Sequence, residues 1–483
     1  MANRLMNDWT FDSPRFHYMS SSQCEKIHCA ALDILERIGV LLYSNEAIEL
    51  LKAAGADVDG NLVRISSGLV ERALVTVPKR VTLFNRDGEL VMPVEGHRVF
   101  FGPGSDCLNI LDHRTGKRRK PMLKDVQEGV ILCDALPEID FVMSMVLPAD
   151  VDTALADRYQ MEIMLNHTKK PIIFVTYDYE GCLEAVKMAE TVAGGEDQLR
   201  RKPNVVGYIN VTTGLRHNEE ALQKLLFLAG KGLPAIYAPD IYSGVTGPIT
   251  IPGSVAIVMA GVLAGIVISQ LKREGAPIII PGWGGAPMDL STTVAPYSHP
   301  DARSIMVAMG HYYKLPVFAV GGSSESKLAD QQAAAEAALT LMTEAIAGGN
   351  LIHDVGYLES GMMYSFTQLA TCNEIIRWFK YYTKKIEVNE ETLAMDLIMQ
   401  IGHDEQYIQL EHTFKNFRQH YYPVLFDRGN HSSWVEKGSR DLTERATEQV
   451  ETLLAEHRPE PLPEGVQARL KEILERAVAK VKK

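Results

Sequence analysis

Residues 234–240 read Pro-Ala-Ile-Tyr-Ala-Pro-Asp, a short apolar run closed by an acid. Seven further stretches share that form: Val99–Ile110, Phe141–Leu147, Pro171–Tyr177, Asn204–Val211, Pro277–Trp283, Pro316–Gly322 and Leu351–Tyr357. Nearly all end in a polar, aromatic or charged residue. Continuous apolar runs of this length mark strands buried on both faces, which belong to parallel sheets covered by helices. The stretches between the runs are long enough for a helix each. Among them are Asp157–Asn166, Asn218–Gly230 with Asn218 as N-cap, and the alanine-rich Asp330–Ala347. Eight strands alternating with helices predict an α/β fold, a (β/α)8 TIM barrel, whose site is built at the C-terminal strand ends.

A barrel of this kind needs roughly 250 residues, so a chain of 483 carries additional material. The barrel is placed at 99–384. Residues 1–98 read as an N-terminal mixed α/β cap, with helices over Ser20–Ile38 and Ser44–Ala54. Short β pieces follow at Leu62–Ile65, Arg80–Asn85 and Glu89–Val94. Residues 385–483 read as a C-terminal helical extension. Its helices are Glu391–Gly402, Asp441–His457 with Asp441 as N-cap and, after the proline-rich break Arg458–Pro463, the amphipathic Gly465–Lys483. This extension suits packing or contact between copies, and a homo-oligomer is expected.

Composition narrows the function. Hydrophobic residues make up 46% and charged residues 23%, enough for an ordinary globular core. A net charge of −12 argues against nucleic acid as a partner. The six cysteines are scattered without a CxxC pair, which points to a reducing, cytoplasmic setting. Met1–Thr10 contains Arg4, Asn7 and Asp8 and no apolar core of a signal peptide. The longest apolar stretch, Val255–Ile268, is shorter than the roughly 20 residues of a membrane span. No membrane association is expected.

The familiar short motifs are missing. Phe101–Asp106 reads Phe-Gly-Pro-Gly-Ser-Asp, and Cys107 stands where a dinucleotide fingerprint needs its third glycine, so a tight bend is the better reading. Gly321–Lys327 has no P-loop spacing; a strand–helix turn and an anion cradle are equal readings of it. Cys24, His28 and Cys29 do not share a helix face suited to metal, and no metal site is expected. The strand-end residues carry more information. Asp106, Tyr177, Asn210, Asp240, Trp283 and His353 come from six separate runs and converge on one mouth if the barrel closes. Tyr242 and Tyr297 lie nearby in sequence, and aromatic faces hold quaternary ammonium groups by cation–π attraction.

Three longer elements carry a resemblance. The first is Thr115-Gly116-Lys117-Arg118-Arg119 with Asp125 and Asp134-Ala135-Leu136-Pro137. The second is Gly321-Gly322-Ser323-Ser324-Glu325-Ser326-Lys327 with Asp330-Gln331-Gln332-Ala333 and Glu336. The third runs Gly349-Asn350-Leu351-Ile352-His353-Asp354-Val355-Gly356-Tyr357-Leu358-Glu359. In that order, over nearly the whole chain, they resemble the trimethylamine:corrinoid methyltransferase family. The resemblance implies a (β/α)8 barrel with an electronegative mouth that passes a methyl group from an amine to the cobalt of a separate corrinoid protein. Trimethylamine-specific members carry pyrrolysine in the barrel, whereas this chain has only standard residues. Members without pyrrolysine look like enzymes for quaternary amines: glycine betaine, which is favoured here, proline betaine, carnitine or γ-butyrobetaine.

On this reading no cofactor is tightly bound, since no Asp-x-His-x-x-Gly motif is present to ligate cobalt; the acceptor is cob(I)alamin on the cognate corrinoid partner. His353, Asp106 and Asp240 are the candidate catalytic residues. Tyr177, Asn210, Trp283, Tyr297, Ser323, Lys327 and Tyr357 are the candidates for binding substrate. His353 or Lys327 is expected to face a betaine carboxylate or the corrinoid. Two other classes stay open: a barrel lyase or aldolase using Lys327, and a non-catalytic betaine-binding protein.

Overall fold

The computed structural model describes residues 15–299, 303–403 and 406–481. The charged N-terminal stretch Met1–Thr10 lies outside the described residues. Seven of the eight apolar runs contain a ladder strand: β1 (Phe100–Phe101), β2 (Ile172–Val175), β3 (Val205–Val211), β4 (Ala235–Pro239), β5 (Ile278–Pro281), β6 (Val317–Val320) and β7 (Leu351–His353). They pair in parallel in the order β1-β7-β6-β5-β4-β3-β2.

The remaining run, Phe141–Leu147, closes the ring by irregular bonds. Asp140 N and Phe141 N donate to Phe101 O at 2.6 and 3.4 Å. On the other side Val142 N donates to Pro171 O and Ile173 N to Val142 O, both at 2.9 Å. Met145 takes a φ of 63° and Val146 N turns back onto Ser144 O, so the run bends before a longer ladder forms. The fold is therefore a closed (β/α)8 barrel with seven regular staves and one irregular one. The first run also departs from expectation. It breaks at Gly102-Pro103-Gly104, and Asn109–Leu111 joins a separate sheet with Met363–Ser365 and Arg118–Arg119.

The two-residue period of each strand sorts its side chains. One residue from every stave points inward: Phe100, Phe141, Ile173, Val206, Ile236, Ile279, Phe318 and Leu351 form one buried apolar cluster. Their alternates, such as Phe101, Val142, Phe174, Tyr237, Ile280 and Ile352, face the helices in the main core. Burying each inward side chain is worth about 1.5–3 kcal/mol. Val81, Leu83, Met92 and Val94 join the inward cluster from the antiparallel hairpin Val81–Phe84/Leu90–Val94, which plugs the N-terminal end of the barrel.

The N-terminal sheet is tied to the barrel. Val40–Leu42 pairs with Leu62–Arg64 and, in parallel, with Arg216–His217 from the loop after β3. His28, in the helix Ser21–Asp33, sits between Tyr313 Oη at 2.9 Å and Glu71 at 3.0 Å. Toward the C-terminus, helix Phe366–Tyr382 packs on Leu442–Glu456. The helix expected over Glu391–Gly402 is split at Ala394, whose backbone is left-handed, into Glu390–Leu393 and Met395–Ile401. The last helix is Glu464–Val481. Helix Ile251–Lys272 is long and apolar enough to cross a membrane, but 78% of its most apolar window is buried inside the protein.

Phe141 is the side chain on which closure leans. A Cβ on Gly102 would overlap its ring. Phe141→Ala is expected to cost about 3–5 kcal/mol by opening a cavity, and Gly102→Ala is expected to destabilise by overpacking the same contact. Thermal unfolding of both variants checks this; unchanged midpoints would remove Phe141 from the closure.

Candidate active site

With its base plugged, the barrel leaves one cavity at the C-terminal strand ends, of about 320 Å³. Its wall is built from residues one or two positions apart on the staves. Tyr208 and Asn210 alternate on β3, Phe318 and Val320 on β6, and Asp240, Trp283 and His353–Asp354 stand at or just beyond the ends of β4, β5 and β7. Asp106, Tyr297 and Tyr357 reach in from loops. Asp106, Asn210, Asp240, Trp283, Tyr297, His353 and Tyr357 are thus brought together as the sequence suggests.

Tyr177, Ser323 and Lys327 lie outside the cavity. Tyr177 is 64% exposed, because the chain turns outward there to start the helix capped by Asp178. Lys327 is exposed and donates to Glu325 O at 2.8 Å. Ser323 is buried behind the wall, where it contacts Tyr297 O at 3.4 Å. Sequence reading missed Tyr208, Phe318 and Asp354 as wall residues. The first lies two residues before Asn210 and therefore on the same strand face, a legible signal. It also missed Arg303, which no pattern announces.

Three carboxyl groups face the cavity, all with their pKa raised by burial. Asp106 is held by Ser144 Oγ and Gln160 Nε2, each at 3.3 Å. Burial lifts Asp240 to about 6, and one of its oxygens, Oδ1, is buried without a hydrogen-bond partner. Asp354 is lifted to about 7 by burial, against the pull of Arg303. Asp106 and Asp354 both adopt left-handed backbone, with φ of 62° and 71°, a strain that recurs at functional sites. A Cβ on Gly104 would overlap both Asp354 Oδ1 and the Tyr357 ring, which explains the second glycine of Gly-Pro-Gly.

His353 is buried and stacks on Phe318 at 3.6 Å between ring centroids. Its Nδ1 lies 2.7 Å from Ala319 O, which can only accept, so that nitrogen carries the proton. Its Nε2 lone pair then faces Asp354 Oδ1 at 3.6 Å. Burial lowers its pKa to about 3, so the ring is neutral at ordinary pH. Aromatic rings supply much of the remaining wall. Trp283 and Tyr297 lie 4.9 Å apart and Tyr208 and Phe318 5.1 Å apart. Behind the wall, fully buried Arg303 sits 5.5 Å from the Trp283 ring. Acids and ring faces together have the chemistry to hold an organic cation, with cation–π attraction worth about 0.5–2 kcal/mol.

A family profile described as trimethylamine methyltransferase matches residues 2–481. The chain belongs to that family. It is similar to trimethylamine methyltransferase MttB of Desulfitobacterium hafniense, at 33% identity over 461 residues, covering 94% of this chain and 93% of that protein. It is also similar to a glycine betaine methyltransferase of Desulfitobacterium hafniense, at 28% identity over 463 residues, covering 95% and 96%. A solved structure, the monomethylamine methyltransferase of Methanosarcina barkeri, aligns over 89% of this chain and 97% of that one, with 11% identity and a TM-score of 0.46. The chain is accordingly a methyltransferase of the corrinoid-dependent methylamine family, whose members work with a corrinoid protein.

The buried acids have two consequences for pH dependence. Folding favours their protonated forms, so their contribution to stability is present at low pH and is lost as pH rises through about 6 and 7. Asp240→Asn is therefore expected to raise the melting temperature at pH 8, by the equivalent of about 1–3 kcal/mol, and less toward pH 4. Ionisation also creates the negative field, although Arg303, the tyrosines Tyr208, Tyr242, Tyr297 and Tyr357, neutral His353 and Asp106 share the surroundings. Affinity for tetramethylammonium, measured calorimetrically, is expected to rise at least fivefold from pH 5.5 to pH 8. A flat profile would refute the assignment of these acids to cation binding.

Proposed function

We propose that this enzyme moves a methyl group from a quaternary amine to Co(I) of a separate corrinoid protein, leaving a tertiary amine. The observation that carries the reading is the cavity of three acids and five aromatic rings at the barrel mouth. The trimethylammonium head rests against Trp283, Tyr297, Tyr208 and Tyr357, with Asp240, Asp106 and Asp354 supplying the opposite charge. The cobalt electron pair attacks a methyl carbon, the carbon–nitrogen bond breaks, and its electron pair returns to nitrogen. The amine leaves neutral and no proton is needed. The protein supplies position and field rather than acid–base chemistry, which suits a His353 that stays neutral. Glycine betaine, giving dimethylglycine, is the first compound to assay, supported by the relative of that name. Proline betaine, carnitine and γ-butyrobetaine share its head group.

A Schiff-base lyase or aldolase is less well supported, because Lys327 lies outside the cavity. Cobalamin is carried by the partner and not by this chain. We further propose that residues 1–98 act as a cap and 385–483 as an extension around the 99–384 barrel, that copies of the chain associate, and that the enzyme works in the cytoplasm.

The test is methylation of the reduced corrinoid protein, followed by loss of the Co(I) absorbance, with each quaternary amine in turn. Activity with at least one is expected, and His353→Ala is expected to lower it tenfold or more, since Phe318 and Asp354 lose their neighbour. Activity with trimethylamine alone would overturn the reading. Wild-type rates in the His353 variant would free that residue from any role.

A further inference from the structure

The charge balance of the cavity narrows the substrate class, given the quaternary-amine reading above. Among the described residues that line it, Asp106, Asp240 and Asp354 are acidic and none is lysine or arginine. The one imidazole, His353, spends its proton on Ala319 O and turns a lone pair inward. One arginine comes near and its charge acts on Asp354, but it stands behind the wall rather than in it, with its Nε unpartnered. Arg303 is fully buried behind Trp283, donates to Val320 O at 2.8 Å, and reaches Ser323 Oγ at 3.5 Å. Its charge offsets fully buried Glu344, which accepts from Ser304 Oγ at 3.0 Å. Lys327 does not line the cavity and donates to Glu325 O.

A betaine brings its own carboxylate into this enclosure, within a few ångströms of its ammonium. In a cavity of about 320 Å³ that carboxylate lies close to at least one of the three acids. Two like charges taken out of water and held together raise the energy of the bound state unless a cation or several donors compensate. Asn210, the tyrosine hydroxyls and a protonated Asp354 are the available donors, and Tyr357 already donates to Ser105 O. A cation without a carboxylate meets no such conflict. It also gives the unpartnered Asp240 Oδ1 an opposite charge or, if its tail carries a hydroxyl, a hydrogen-bond donor.

We infer that the preferred methyl donor is a quaternary amine of net positive charge, with a neutral or hydroxylated tail, rather than a zwitterionic betaine. Selection then works by repulsion of the substrate's acid as much as by attraction of its ammonium, a form of specificity that needs no extra contact.

The experiment is a calorimetric titration of the full-length protein at pH 8 with tetramethylammonium, choline, glycine betaine and carnitine, alongside the corrinoid methylation assay with the same four compounds. At least tenfold tighter binding and higher kcat/KM are expected for tetramethylammonium or choline over both betaines. In Asp240→Asn, whose folding is checked by its melting curve, the ratio of cation to betaine affinity is expected to fall at least fivefold. Equal or better use of glycine betaine or carnitine would overturn this inference and leave the methyltransferase reading standing. A ratio unchanged in Asp240→Asn would equally overturn it. Failure of all four compounds to bind or react would instead remove the quaternary-amine reading on which it rests.

Discussion

Closure of the sheet through Asp140 and Phe141 is the contact on which the rest of the molecule depends. Phe101 O accepts the Asp140 and Phe141 N–H groups, and the Asp140 carboxylate accepts from Phe101 N at 2.9 Å. A sheet without that stave would present two free edges and an open interior. Once it closes, one apolar side chain from each stave fills the middle, and the 81–94 hairpin plugs the lower end. Polar groups can then gather only at the mouth, where the strands stop and backbone irregularity is tolerated.

The mouth is built against stability. Three acids sit where their ionised forms are poorly solvated, two of them on left-handed backbone, and a larger side chain at residue 104 would overlap the Asp354 carboxylate. Such costs persist where surrounding structure enforces them. Here the enforcement is visible. Tyr357 is tied to Ser105 O, His353 is stacked on Phe318, and the chain after β7 folds back so that Ser324 N donates to Tyr357 O at 3.0 Å. The result is an acid- and ring-lined chamber held ready before any ligand enters, a form of electrostatic preorganisation. Arg303 and Glu344 carry opposite charges behind the aromatic wall and offset one another without placing a cation in the chamber.

The eight apolar runs, their spacing and the helices between them were legible in the sequence because strands buried on both faces need unbroken apolar stretches. Polar strand ends were legible for the same reason: Asp240, Trp283 and His353 break those runs where the barrel ends. The family motifs added the class of reaction. Element type and order, and seven of the ten named site residues at the cavity, therefore follow from local pattern.

Long-range geometry decided the rest. Sequence could not tell that Phe141–Leu147 bends at Met145 and closes the ring by bridges, because the bend depends on its neighbours' hydrogen bonds. It could not separate Tyr177, which turns outward with its helix cap, from Asn210, which turns inward. Nor could it show that Arg303 comes to lie behind Trp283, or that no lysine or arginine joins the acids among the described wall residues. The kind of chemistry was written in the local pattern of residues. The charge of the chamber is a sum over side chains far apart in the chain, and only their meeting in three dimensions sets it.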